Sequence, residues 1–222
     1  VAWVTAHATG REEPLPAWEG AAAIGKDSDN YKDLVDAFEL ACATYAHKYD
    51  FWLRVVDIYH VDARGAANGN GEPLQTDNGR RLFHGTKREN AQSIISTGFQ
   101  LPSRKGMFGK GVYFADCPLK SWGYTGGDAR TAGVILVCWV ELGAHPSHQK
   151  AARHTLTRPP RRSFTQWLKR ESKYTSVVGD EEEVGGSLRL PEYVIYDPSK
   201  AEIEYLIEAV KVPKGTPPPQ PA

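Results

Sequence analysis

Arg80-Arg81-Leu82-Phe83-His84-Gly85-Thr86 opens, and Gly106-Met107-Phe108-Gly109-Lys110-Gly111-Val112-Tyr113-Phe114-Ala115-Asp116 closes, the stretch whose reading decides the fold. Leu82-Phe83 is a short apolar strand signal that runs into His84-Gly85-Thr86. Thr86 and Glu89 form T-x-x-E, the pattern of a capping box, in which side chains satisfy the free N–H groups at a helix start. Ala91, Ile94 and Ile95 give that helix an apolar face, and Gly98 is its expected stop. A second strand is expected over Gly111 to Ala115, carrying Tyr113. A histidine and a tyrosine thus arrive on two strands with glycines beside each. That arrangement suits a small-molecule cleft better than a solid core.

Upstream, residues 1–30 show no periodicity and read as an irregular arm packed down by Trp3 and Trp18. Ser28-Asp29-Asn30 offers N-cap candidates, and Tyr31, Leu34, Val35, Phe38, Ala41, Cys42 and Tyr45 lie on one stripe. The spacing predicts a core-facing helix over residues 31–47. Phe51 to Val61 is rich in aromatic and β-branched residues and reads as a strand, and Ala66 to Gly71 as a flexible turn. Downstream, Gly133 to Leu142 is a near-continuous apolar run, expected as a central strand covered on both faces. Residues 143–190 are long, polar and irregular, which in a compact domain marks a functional or disordered loop. Leu190 to Tyr196 reads as a strand. Ala201 to Val210 reads as another, with Ile203, Tyr205, Ile207 and Ala209 alternating against Glu202, Glu204 and Glu208. The tail from Val212 to Ala222 is proline-rich and reads as an extended linker to a larger, multidomain chain. Helices come early and strands late, without regular β-α-β alternation, so the expected class is α+β with largely antiparallel sheet.

The 222 residues make one domain with a real core. With 27 basic and 27 acidic residues the net charge is zero, so the chain as a whole is not an electrostatic nucleic-acid binder. No apolar run reaches the roughly 20 residues that span a bilayer, and the N-terminus lacks a signal-peptide pattern, so no membrane partner is expected. Cys42, Cys117 and Cys138 are odd in number and far apart, which fits free thiols in a cytoplasmic or nuclear, reducing compartment. His145, His148 and His154 have no cysteine or acidic partner at zinc-ligand spacing, so no metal site is expected. Gly106 to Gly111 lacks the Walker spacing and precedes a strand, which excludes a nucleoside-triphosphatase loop.

Three motifs in order, His84-Gly85-Thr86, Gly109 to Asp116, and Glu192-Tyr193-Val194-Ile195-Tyr196, carry a resemblance. From about Tyr49 to Val210 the chain resembles the catalytic domain of the poly(ADP-ribose) polymerases, the diphtheria-toxin-like branch of the ADP-ribosyltransferases with a His-Tyr-Glu triad. The resemblance implies an α+β fold of two packed, mostly antiparallel sheets forming a cleft for NAD, with flanking helices. It implies an N-terminal arm and helix over 1–48, a catalytic domain over 49–211 and a linker over 212–222.

Breaking the nicotinamide–ribose bond of NAD builds positive charge on the ribose, which calls for a nearby carboxylate, an aromatic wall and fixed polar groups. By resemblance Glu192 holds the 2′-hydroxyl of that ribose, and His84 holds the adenine-ribose hydroxyl. Gly85 pairs its backbone with the carboxamide and Ser121 hydrogen-bonds it, beside Thr86. Tyr113 and Tyr124 sandwich the nicotinamide ring, and Lys110 lies near the acceptor or the phosphates. The catalytic set is therefore Glu192, His84 and Tyr113. The segment between Gly98 and Met107, which flanks the NAD site in the family, is short here. The residues ahead of the core offer one clear helix, too little for a regulatory bundle, so activity is expected not to need DNA. The expected function is ADP-ribosyl transfer from NAD to protein or nucleic-acid acceptors, the chain itself among them. Glu192 permits polymer, while loop 143–190 does not resemble that of the elongating enzymes, which points to mono- or short-chain transfer. The alternatives are an NAD glycohydrolase and a non-catalytic module that binds NAD or ADP-ribose.

Overall fold

A computed structural model describes residues 17–62, 77–161, 165 and 174–215. The predicted turn at 66–71, Trp3 and the end of the proline-rich tail fall outside these residues. Among the described residues nine strands make two sheets, and three α-helices flank them. The first sheet holds, in spatial order, β1 (Ala21–Ala23), β2 (Phe51–Val61), β9 (Ala201–Pro213), β5 (Gly133–Glu141) and β3 (Gly79–Thr86), all antiparallel. The second holds β4 (Val112–Phe114), β8 (Glu192–Ile195), β7 (Ser176–Gly179) and β6 (Ser147–Gln149), with only β6 and β7 parallel. This is the α+β, largely antiparallel architecture that the sequence predicts.

The apolar run of β5 lies between β9 and β3 and is buried for six consecutive residues, as a strand covered on both faces must be. One face of the first sheet packs against α1 (Asp29–Thr44) and α3 (Pro118–Trp122). Phe38, Cys42, Leu119 and Trp122 meet Ile135, Val137, Ile207 and Ala209 there. The other face packs against α2 (Arg88–Thr97) and the second sheet, where Ala91, Ile95, Phe114 and Tyr193 meet Leu136, Cys138 and Leu206. Burial of the leucine, isoleucine, valine and phenylalanine side chains among them contributes about 1.5–3 kcal/mol each, the main force closing the layers.

Four local readings need correction. Thr86 does not cap α2: it ends β3, and Lys87 stands at the N-cap with no side-chain hydrogen bond, so no capping box forms. Thr86 is held in register with Val134, and that pairing takes precedence over local capping. The β9 alternation fails at Glu204, where a bulge against Val137 and Cys138 shifts the register. Ile203 therefore joins the α2 side of the sheet while Tyr205 and Ile207 face α1. The long segment 143–190 is not wholly irregular, since it supplies β6 and β7 to the second sheet. Finally, β9 continues to Pro213, pairing with Phe51, so the linker does not start at Val212.

Candidate functional site

The two sheets join edge to edge where the site lies. Phe83 of β3 and Ala115, just past β4, exchange two backbone hydrogen bonds of 2.7 and 2.9 Å. His84, the next residue, places Nδ1 2.8 Å from the Tyr113 carbonyl oxygen and so crosses the same seam. A carbonyl can only accept, so Nδ1 carries the proton. Burial pushes the imidazole below its ordinary 6.5, against the opposing pull of that hydrogen bond. The ring is neutral at neutral pH, and its Nε2 is a free acceptor suited to a hydroxyl. Phe99 and Phe114 fix the ring from two sides, with centroids at 5.1 and 5.6 Å.

On β4, Tyr113 stands opposite Val194 of β8. Period-two alternation puts Glu192 on the same face as Val194, so Tyr113 and Glu192 look the same way. The Tyr113 hydroxyl donates to the Gly109 carbonyl and accepts from the Phe108 N–H, both at 2.9 Å, which pins the ring. Burial raises its phenol to about 12, so it stays neutral. Gly109 has φ +80°, and a Cβ there would come within 1.9 Å of the Leu156 carbonyl oxygen. Only glycine lets segment 150–158 close against this loop, and two backbone bonds, Lys110 N–H to Leu156 and Arg153 N–H to Met107, hold the contact.

Gly85 is set by a close approach. A Cβ would fall 1.8 Å from the Ser121 carbonyl oxygen, so β3 and α3 touch backbone to backbone. The Ser121 hydroxyl is buried and donates to the Phe83 carbonyl at 3.2 Å. Tyr124, one turn on, is 62% exposed at the cleft mouth, and burial of its remaining surface raises its phenol pKa.

Lys120 carries no motif of its own in the sequence. Its Nζ lies 3.2 Å from Glu192 Oε1 and donates to the carbonyls of Leu190 at 2.6 Å and Pro191 at 3.2 Å. All three ammonium donors are thereby used, and burial lowers the lysine pKa against the pull of Glu192. Lys-Ser at 120–121, one residue before a buried tryptophan, is the sole trace of this in the sequence, and it looks like an ordinary helix surface.

A single cleft of about 910 Å³ is lined by His84, Gly85, Thr86, Tyr113, Ser121, Tyr124 and Glu192, together with Lys120, Phe99, Met107, Arg104, Lys105 and the α2 residues Asn90, Ser93 and Ile94. Seven of the eight residues expected at the site, all but Lys110, thus line one cavity. Lys110 is not among the lining residues, and its backbone serves the loop contact instead. No group of three or more histidine, cysteine or carboxylate side chains suited to a metal occurs among the described residues. His148 pairs with Asp180 at 2.7 Å and His154 with the Gly106 carbonyl at 3.0 Å. Among the described residues no helix is long and apolar enough to cross a membrane.

A family model described as Poly(ADP-ribose) polymerase catalytic domain matches residues 28–211. The chain is 28% identical over 204 residues to the poly [ADP-ribose] polymerase of Drosophila melanogaster, covering 83% of this chain and 20% of that protein. The poly [ADP-ribose] polymerase 1 of Gallus gallus matches equally, 28% over 204 residues with the same shares of 83% and 20%. The poly [ADP-ribose] polymerase 2 of Zea mays is 37% identical over 99 residues, 42% of this chain and 15% of that protein. The chain thus spans about one fifth of the length of the first two relatives. From the match over residues 28–211 and the two-sheet fold, the chain belongs to the family of poly(ADP-ribose) polymerase catalytic domains, the ADP-ribosyltransferases that take NAD as co-substrate.

Proposed function

We propose that this chain transfers ADP-ribose from NAD to protein acceptors, its own surface among them, as single units or short chains and without a need for DNA. The observation that carries the reading is the convergence of His84, Tyr113 and Glu192 on one cleft from strands of both sheets. In this account the bond between nicotinamide and the ribose C1′ breaks with its electron pair leaving on nicotinamide. Glu192 steadies the charge that develops on the ribose and takes the proton of the acceptor as its nucleophile bonds to C1′. Lys120 aims Glu192 by placing a cation on one carboxylate oxygen. His84 Nε2 accepts from a ribose hydroxyl of the substrate. Tyr113 and Tyr124 hold the nicotinamide ring, and Ser121 and the Gly85 backbone hold its carboxamide.

Acceptor choice is supported by charge. Residues 90–115 and 142–161 contain no aspartate or glutamate. They carry Arg104, Lys105, Lys110, Lys150, Arg153, Arg158 and Arg161, of which Arg104 and Lys105 line the cleft and make that part of its rim basic. An acidic stretch of a protein acceptor fits such a rim. DNA independence is supported by α1, which buries Phe38 and Cys42 in the core as part of the domain rather than as a cover over the cleft. The three cysteines are buried and unpaired, which supports a cytoplasmic or nuclear setting. The relatives are about five times longer than their matched part, which supports a place in a multidomain protein.

Incubation with NAD labelled in its adenosine half tests the reading. Label attached to protein, undiminished without DNA and as a ladder of few steps, is expected. Label released only as free ADP-ribose identifies a glycohydrolase, and intact NAD identifies a binding module.

A further inference from the structure

Helix α2 is gripped from behind by a segment outside the residues that the family model matches. Trp18 is 6% exposed, and its indole N–H donates to Glu208 Oε1 at 3.0 Å. Arg88, the first residue of α2, pairs with the same carboxylate and lays its guanidinium over the Trp18 ring, 3.9 Å from the centroid. One turn on, the Gln92 amide bonds both ways to the backbone of Glu19, accepting from its N–H at 3.2 Å and donating to its carbonyl at 3.0 Å. Gly20 then sits against Ile95, and β1 is stitched to β2 through Ala21, Ala22 and Ala23.

Arg88, Gln92 and Ile95 are spaced i, i+4, i+7 and form one face of α2. Asn90, Ser93 and Ile94, on the opposite side, line the cleft. The helix is therefore held between residues 17–23 and the cavity. Glu208 gives the grip its strength, because it is 3% exposed on a central strand and its carboxylate cannot be left buried without donors.

We propose that residues 17–23 are a strap that sets the position of α2, and through it the affinity of the cleft for NAD. Trp18 and Gln92 are positioning residues that touch no substrate. Displacing the strap frees α2 to shift away from the cavity and loosens NAD binding while leaving Glu192 and its chemistry in place. Any event that pulls on the strap then modulates NAD affinity. The inference rests on the cleft being the NAD site.

The test compares wild type, Trp18→Ala, Trp18→Phe and Gln92→Ala by calorimetric titration with NAD and by the KM and kcat of transfer. Trp18→Ala is expected to raise the NAD Kd and KM about tenfold, equivalent to about 1.4 kcal/mol, with kcat at saturation within about twofold. Trp18→Phe, which keeps a ring under the guanidinium, is expected to recover part of that loss. Gln92→Ala is expected to raise both constants about threefold, the scale of one exposed hydrogen-bonded pair. It decides the matter alone should Trp18→Ala fail to fold. Unchanged KM in the folded variants, or kcat falling while KM holds, overturns the strap. Wild type that does not bind NAD overturns the cleft reading itself, an outcome separate from failure of the strap.

Discussion

Glu192 and Lys120 are best considered together, because neither is stable in its place without the other. The carboxylate is 8% exposed and the ammonium bridges it to two carbonyls of the preceding turn. Glu192→Gln keeps the shape and removes the charge, so NAD binding should persist while kcat falls by about 10²–10³-fold, the usual worth of a preorganised electrostatic group. Undiminished turnover in that variant refutes the role. Lys120→Met should lower the thermal midpoint as well as activity, at a cost of about 3 kcal/mol, since it leaves a buried carboxylate without its cation. A thermal melt checks this, and an unchanged midpoint would show the pair to be idle. His84 makes a pH prediction. It stays neutral when folded, below its ordinary 6.5, so unfolding takes up a proton as the medium is acidified. Stability should therefore decline as pH falls through and below 6.5. His84→Gln should flatten that decline, which thermal melts across the range will show.

At the scale of elements, the glycine at 85 is a contact between β3 and α3 rather than a hinge. Gly85→Ala drives a methyl into the Ser121 carbonyl, so α3 must move and take Ser121, Tyr124 and Lys120 with it. Loss of nearly all activity, with a lower melting point, is expected, and wild-type KM and kcat in the variant would contradict the backbone contact. Elements with one covered face were legible in the sequence. The helix stripe from Tyr31 to Tyr45 and the Ser28 cap, whose side chain accepts from Tyr31 N–H at 3.2 Å, match α1, and Phe51 to Val61 is β2 to the residue. What escaped depended on distant partners. Strands of three and four residues in segment 143–190 carry too little pattern to stand out, and only pairing with β8 makes β7 a strand. Glu208 follows the alternation but is buried, because Trp18 and Arg88 cover a face the pattern assigns to solvent. The seven expected residues that line the cleft sit in short contiguous motifs, whereas the pairing of Lys120 with Glu192 shows only when α3 lies against the start of β8.

At the scale of the whole molecule, the site exists because two sheets meet along one seam. Arg80 on β3 donates to the Tyr193 hydroxyl at 2.7 Å, and that hydroxyl donates to Asp116 at 3.1 Å, so the first sheet, the second sheet and the entry to α3 share one polar lock. The tyrosine and the glutamate belong to one sheet and the histidine to the other, so the seam must hold for the cleft to have its shape. The central claim is that this cleft holds NAD with its nicotinamide between two phenol rings and its ribose at Glu192. The most direct measurement is a crystal structure of the chain with an unreactive NAD analogue in which benzamide replaces nicotinamide. The account predicts the benzamide ring between Tyr113 and Tyr124 and a ribose hydroxyl within hydrogen-bond distance of Glu192. An analogue bound on another surface, or a ribose facing away from that carboxylate, would contradict it.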